Sequence, residues 1–174
     1  MAKVKRMTDS PGRKTAVAQQ PSLRGDFHAW LLNQAASLRD RRHDRIDWES
    51  IAEELEAMAR SEEHGLESFF EVLLTHLLKW AYQAERRSGS WEASIENSRD
   101  QIKINARLLR SPSLKARLPE LAQAAYNRAR RTAGAEMGLT RQQWNKLLPQ
   151  TCEWNVDEIM DTEFWPEART LSAG

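Results

Sequence analysis

A single cysteine, Cys152, stands in the chain. No disulfide can close within it, and a reducing compartment is the expected setting. Glycine and proline are scarce, at seven and six residues, and most of them stand where a helix is expected to stop. Alternating β-branched runs are missing, which leaves strands without their raw material. No apolar run approaches the roughly 20 residues that a membrane helix requires. The N-terminus is basic but has neither the apolar stretch nor the small-residue cleavage site of a secretory signal. These absences describe an all-α chain, expected in the cytoplasm and without a membrane contact.

Signatures of chemistry are missing as well. There is no Gly-x-Ser-x-Gly and no glycine-rich phosphate loop. Cys-x-x-Cys, His-Glu-x-x-His and the Glu-x-x-His of carboxylate-bridged metal sites are also absent. Nothing near Cys152 in sequence activates its thiol. No catalytic residue, cofactor or metal ligand is assigned from the sequence.

What the chain does hold is charge. Lysine and arginine number 26, aspartate and glutamate 25, and the mean hydropathy is −0.71, as in a globular protein with a well-wetted surface. The charges fall in blocks. Residues 1–25 have six basic and one acidic side chain, residues 26–85 six and thirteen, residues 86–146 thirteen and five, and residues 147–174 one and six. Blocks of opposite sign can attract one another in the fold, or the block at 86–146 can present a basic surface to a partner.

Residues 1–25 have no apolar period and read as a disordered basic arm. Residues 26–166 read as a single all-helical domain, and 167–174 as a frayed tail. Asp26 is the expected cap of a helix to about residue 40, with Phe27, Trp30, Leu31, Gln34 and Leu38 on one face. Asp47 caps a longer element whose apolar residues, from Trp48 to Leu78, follow three-and-four steps. Gly65 is its weak point, at a cost of about 1 kcal/mol against alanine, and the place where a long helix would bend. Ser90 is the expected cap of a helix over Trp91–Arg110, buried through Trp91, Ile95, Ser98, Ile102, Ala106 and Leu109. A short turn at Leu114 and Leu118 is expected next, and then a helix begun by Pro119 that runs to Gly138, its alanines implying close helix contact. Thr140 with Gln143, and Asn155 with Glu158, have the capping-box form and open two short helices. The fold class is a helical bundle built around one long helix, with short C-terminal helices.

Steps of seven along the long helix give Trp48, Leu55, Glu62, Phe69, His76 and Gln83, which share one stripe. Glu62, His76 and Gln83 interrupt an otherwise apolar line, with Lys79 beside them. Buried polar groups must be hydrogen-bonded, so partners are expected among Arg86, Arg87, Arg99, Tyr82 and Tyr126. Two readings of this seam stand side by side. Either it is a satisfied network that locks helices together, or His76, Lys79 and Arg86 or Arg87 line a pocket for an anion. By contrast Glu49, Glu53, Glu54 and Glu56 read as a solvated helix face.

The stretches DWESIAEELEAMARSE, HLLKWAYQAERRSGSW and SPSL, in that order, resemble the bacterial family known as domain of unknown function 29. Asp26, His28 and Trp30 near the start and AYNRARRTAGAEMGL later on extend the likeness over about 26–166. The resemblance implies an all-helical fold and supplies no chemistry. Its motif residues on the seam are Arg60, Ser61, Glu62, His76, Lys79, Trp80, Tyr82, Gln83, Arg86, Arg87, Ser88 and Trp91. The chain departs from the family at Ala84, where a proline precedes the arginines, and at Glu153, where a proline follows the cysteine.

Three functions fit these features. The first is a non-catalytic module that binds another protein, with Glu62, His76, Lys79, Trp80, Tyr82, Gln83, Arg86, Arg87, Ser88 and Trp91 as candidate binding or buried network residues. The second is a nucleic-acid-binding accessory protein, with Arg107, Arg110, Arg128, Arg130 and Arg131 as a phosphate-facing stripe. The third is an enzyme or small-anion binder with His76 as base and Lys79 or Arg86 holding the anion.

Overall fold

The computed structural model of the chain describes residues 22–104 and 111–170. The fold is all-α, and there is no strand among the described residues. The helices are α1 (Phe27–Arg39), α2 (Trp48–Tyr82), α3 (Gly89–Ile104), α4 (Pro112–Glu136), α5 (Arg141–Leu147) and α6 (Val156–Met160). Single 3₁₀ turns, His43–Arg45 and Ala84–Arg86, follow α1 and α2. Where the sequence reads as one domain over 26–166, the chain divides into two compact units that part between Glu54 and Leu55. Helix α2 contributes its first turns to one and the rest to the other, and it runs unbroken through Gly65.

In the first unit, Asp26 caps α1 as expected, its carboxylate accepting the Ala29 N–H at 3.0 Å. Asp47 likewise accepts the Ser50 N–H at 3.2 Å. The interior is small: Trp30, Gln34, Ser37 and Ile46 are buried. Gln34 is there for a reason. Its Oε1 accepts the Asp47 N–H at 2.8 Å and its Nε2 donates to the Arg45 carbonyl at 3.4 Å, which fastens α1 to the start of α2. Two expectations change. Phe27, Leu31 and Leu38, expected on the buried face, are exposed, and the buried side of α1 is instead the line of Trp30, Gln34 and Ser37. Residues 22–25 of the expected arm form a turn, with the Ser22 carbonyl accepting from Gly25 and Asp26; residues 1–21 lie outside the described residues.

The second unit is a helical bundle with one continuous core. Leu66, Phe70, Leu73, Leu74, Leu77 and Leu78 of α2 pack with Ile95 and Ile102 of α3 and Leu121, Ala125, Tyr126, Ala129 and Ala133 of α4. Leu148 and Ile159 close it. The alanines of α4 do permit close approach, and glycine goes further: a Cβ at Gly134 would stand 2.5 Å from Cβ of Trp144 in α5. Gly138, at φ +75°, follows the end of α4, a left-handed position that suits glycine.

Helix α4 corrects the expected break at Leu114–Pro119. It starts seven residues before Pro119, at Pro112, with Ser111 as its cap. Leu114, Leu118, Leu121, Ala122 and Ala125 form one buried line through Pro119, whose own ring is exposed. Packing along that line outweighs the loss of one backbone donor. Helix α3 begins at Gly89, with the Ser88 carbonyl accepting from Trp91 and Glu92, while the hydroxyls of Ser88 and Ser90 bond each other at 2.9 Å. Its expected end at Arg110, with Ala106 and Leu109, lies outside the described residues. Both capping boxes are formed. Within the tail expected to fray over 167–174, the Arg169 N–H donates to the Ala81 carbonyl at 2.7 Å; residues 171–174 lie outside the described residues.

Candidate functional site

The corner where α2 ends gathers part of the sequence-derived seam. Lys79 is buried, and its amine is 2.6 Å from the Glu136 carboxylate of α4 and 4.2 Å above the Trp91 ring of α3. One side chain thus joins three helices. A buried ammonium survives only with such partners. Trp80 stands 4.6 Å from Trp165 between ring centroids. Arg87 lies 4.8 Å over the Trp80 ring and donates from Nε to the Trp80 carbonyl at 3.0 Å. Tyr82 accepts from Arg169 through its hydroxyl, and Arg169 also pairs with Glu153 and lies near the rings of Tyr82 and Trp154. These partners hold the Arg169 guanidinium well above its ordinary pKa, the Glu153 hydrogen bond most strongly. Gln83 is buried, and its N–H closes α2 on the Lys79 carbonyl.

Four seam residues stay outside this network. Glu62 is exposed and borders a groove of about 400 Å³ with Arg117 and Leu114. Among the described residues it faces no buried partner, because the stripe it shares with Leu55 leaves the covered side of α2 there. His76 is half-buried, and its Nδ1 bonds the Val72 carbonyl of its own helix at 2.9 Å. Arg86 and Ser88 are exposed in the turn after α2. Around the end of α2, Lys79 therefore meets Trp91, Trp80 meets the exposed Arg87, and Tyr82 meets Arg169.

Sequence reasoning names Arg99 only among several possible partners of the seam and sets Arg130 on a phosphate-facing stripe, and the structure gives both another role. Arg99 is fully buried in α3 and faces backbone carbonyls: Nε to Ile159 at 2.9 Å, Nη1 to Thr162 at 3.4 Å and Nη2 to Phe164 at 2.7 Å. Burial lowers its pKa, against the pull of Asp161 and Glu96. Arg130 does the same from α4. It donates to the carbonyls of Leu148 and Asn145 and lies 5.0 Å over the Trp144 ring. Both arginines strap C-terminal segments onto the bundle. The signal was present in the spacing, since Arg99 falls between Ile95 and Ile102 at steps of four and three, and Arg130 four residues after Tyr126.

The arginines expected to face phosphates are largely committed elsewhere. Arg128 pairs with Glu67 at 2.8 Å and Glu71 at 2.9 Å, and Arg130 is buried. Arg131 is exposed, and Arg107 and Arg110 lie outside the described residues. Cys152 donates its thiol to the Trp154 carbonyl at 3.3 Å, and burial raises its pKa, which disfavours the thiolate. It borders a groove of about 440 Å³ with Leu118, Ala122, Gln123 and Val156. Tyr126, pushed up by burial, donates to the Pro149 carbonyl at 2.9 Å. Among the described residues, no three or more histidine, cysteine or carboxylate side chains come together to hold a metal, and no helix is long and apolar enough to cross a membrane.

Fold and site together define an all-helical protein whose C-terminal segments are strapped to a bundle by buried arginines. The chain belongs to the family described as domain of unknown function DUF29, whose model matches residues 24–165. No curated protein and no solved structure matched it.

Proposed function

We propose that this chain is a non-catalytic protein-interaction module that docks an apolar helix of another protein on α1. The observation that carries this reading is the exposure of α1. Phe27, Leu31 and Leu38 are 46%, 39% and 44% exposed. At 100° per residue they fall within about 40° of one another on the helix. Over thirteen residues α1 has no acidic side chain, and Arg39 is its one arginine or lysine. An exposed helix normally turns a charged face to water, whereas a contiguous apolar face marks an interaction site. The polar-aromatic corner at the end of α2 supports the reading from the other side, since its side chains are occupied in holding helices together.

The test is a pull-down of the tagged chain from cell extract at low and moderate salt, with and without nuclease, beside its Leu31→Glu variant. A stoichiometric protein retained at both salts and lost with Leu31→Glu is the expected result. Capture unchanged by Leu31→Glu overturns the α1 assignment. Nuclease-sensitive capture that vanishes at moderate salt would instead mark an electrostatic nucleic-acid contact.

A further inference from the structure

We infer that the helix docked on α1 is acidic in its first turn, and that Arg39, Arg41 and Arg42 receive its carboxylates. This deepens the proposed function and rests on the α1 reading. The C-terminal end of α1 is closed by two backbone bonds. The Arg42 N–H donates to the Ser37 carbonyl at 2.9 Å and the Arg41 N–H to the Leu38 carbonyl at 3.2 Å. That is a Schellman motif, whose closing residue is left-handed and usually glycine. The same pair of bonds closes α4, from Leu139 to Gly134 and from Gly138 to Ala135, and there the left-handed residue is Gly138. After α1 it is Arg41, at φ 56°. A Cβ in that conformation is strained, and strain of this kind collects at functional positions.

Nothing within the chain uses the Arg41 side chain. Arg39, Arg41 and Arg42 are all exposed. Among the described residues Arg39 and Arg41 enter no ion pair, and Arg42 has one, to Asp40 at 3.8 Å with both side chains more than half exposed. Such a pair contributes little. The three arginines follow Leu38 within four residues, at one end of the apolar row that runs about 16 Å from Phe27. A guanidinium takes a carboxylate through paired hydrogen bonds. A helix favours carboxylates in its first turn, where its dipole is positive. An antiparallel partner therefore brings an acidic first turn to the arginines while its apolar face covers Phe27, Leu31 and Leu38. Nucleic acid fits less well. Residues 39–47 hold four arginines and three aspartates, so no broad positive field gathers phosphates there.

The test is a selection on the full-length chain from a displayed library of amphipathic helices of about 15 residues, with leucines fixed at three-and-four steps and the other positions random. Aspartate and glutamate should be enriched in the first turn of the captured helices. A peptide so selected should bind about tenfold more tightly than its glutamine twin. Arg41→Gly should remove most of that difference, leave binding of the glutamine twin unchanged, and keep or raise the melting temperature. Helices captured through Leu31 without acidic enrichment overturn this inference and leave the α1 docking standing. Capture that Leu31→Glu does not disturb, or no capture, overturns the α1 docking and this inference with it. Enrichment in the last turn overturns the antiparallel arrangement. Arg41→Gly that lowers the melting temperature, or that keeps the acidic preference, makes Arg41 structural and overturns its role. Oligothymidylate that displaces the peptide at moderate salt assigns the arginines to phosphates and overturns the carboxylate reading.

Discussion

The two ends of α2 follow one apolar rhythm and have opposite fates. Leu73, Leu74, Leu77 and Leu78 are 0–1% exposed, while Leu55 and Met58 are 61% and 64% exposed. Both sets obey the same three-and-four spacing. The C-terminal half lies under α3, α4 and the strapped C-terminal segment, and the N-terminal half presents its row to solvent. Helical period says which side chains share a face; it does not say whether anything covers that face. A long helix whose core-like stripe outruns its core is therefore a place to look for a partner.

Truncations should divide along this line most sharply. Phe70→Ala removes a fully buried ring and should cost about 3–5 kcal/mol in chemical denaturation, whereas Leu55→Ala should change stability by about 0.5 kcal/mol or less. Equal losses at both positions would mean that the N-terminal half of α2 is covered after all. Arg99→Ala comes next. It leaves three carbonyls of the C-terminal segment without their donor, and a loss of about 3 kcal/mol is expected, since buried unsatisfied acceptors are expensive. Protease cleavage near residues 160–170 should rise in that variant.

The two helix glycines sharpen the comparison. Gly134→Ala should destabilise by about 1–3 kcal/mol, because the added methyl runs into Trp144 and overpacking costs about that much. Gly65→Ala should stabilise the isolated chain by up to about 1 kcal/mol. Thermal melts of both read the sign directly. The smallest effect concerns Cys152. Burial raises its pKa, so the folded state favours the protonated thiol. Its alkylation should be slower than that of free cysteine at the same pH, with a pH midpoint above the ordinary thiol range. Stability linked to this group is present at lower pH and lost as pH rises past that range. Alkylation as fast as free cysteine would mean that the 152–154 loop opens readily.

Much of the fold was legible. The long helix, its passage through Gly65 and both capping boxes follow from local spacing and from cap chemistry within four residues. The start of α4 was misread because Pro119 looks like a beginning, and only the buried line from Leu114 to Ala125 shows that packing carries the helix across it. The candidate site was legible in membership more than in role. Lys79 meets Trp91, and Trp80 meets Arg87, yet Glu62 does not join them; Arg99 is legible only as one of several possible partners, and Arg169 falls in a stretch that reads as a frayed tail.

What the sequence determined by itself is mostly local: helical period, caps and the all-α class are set within a few turns of chain, and the family follows from motifs in order along it. The tertiary structure decided which polar residues are interior and what satisfies them. Arg99 finds carbonyls sixty and more residues away, and Lys79 finds Glu136 fifty-seven residues on. A buried charge is tolerated only where distant chain supplies its partners, and no local pattern encodes which distant chain that will be.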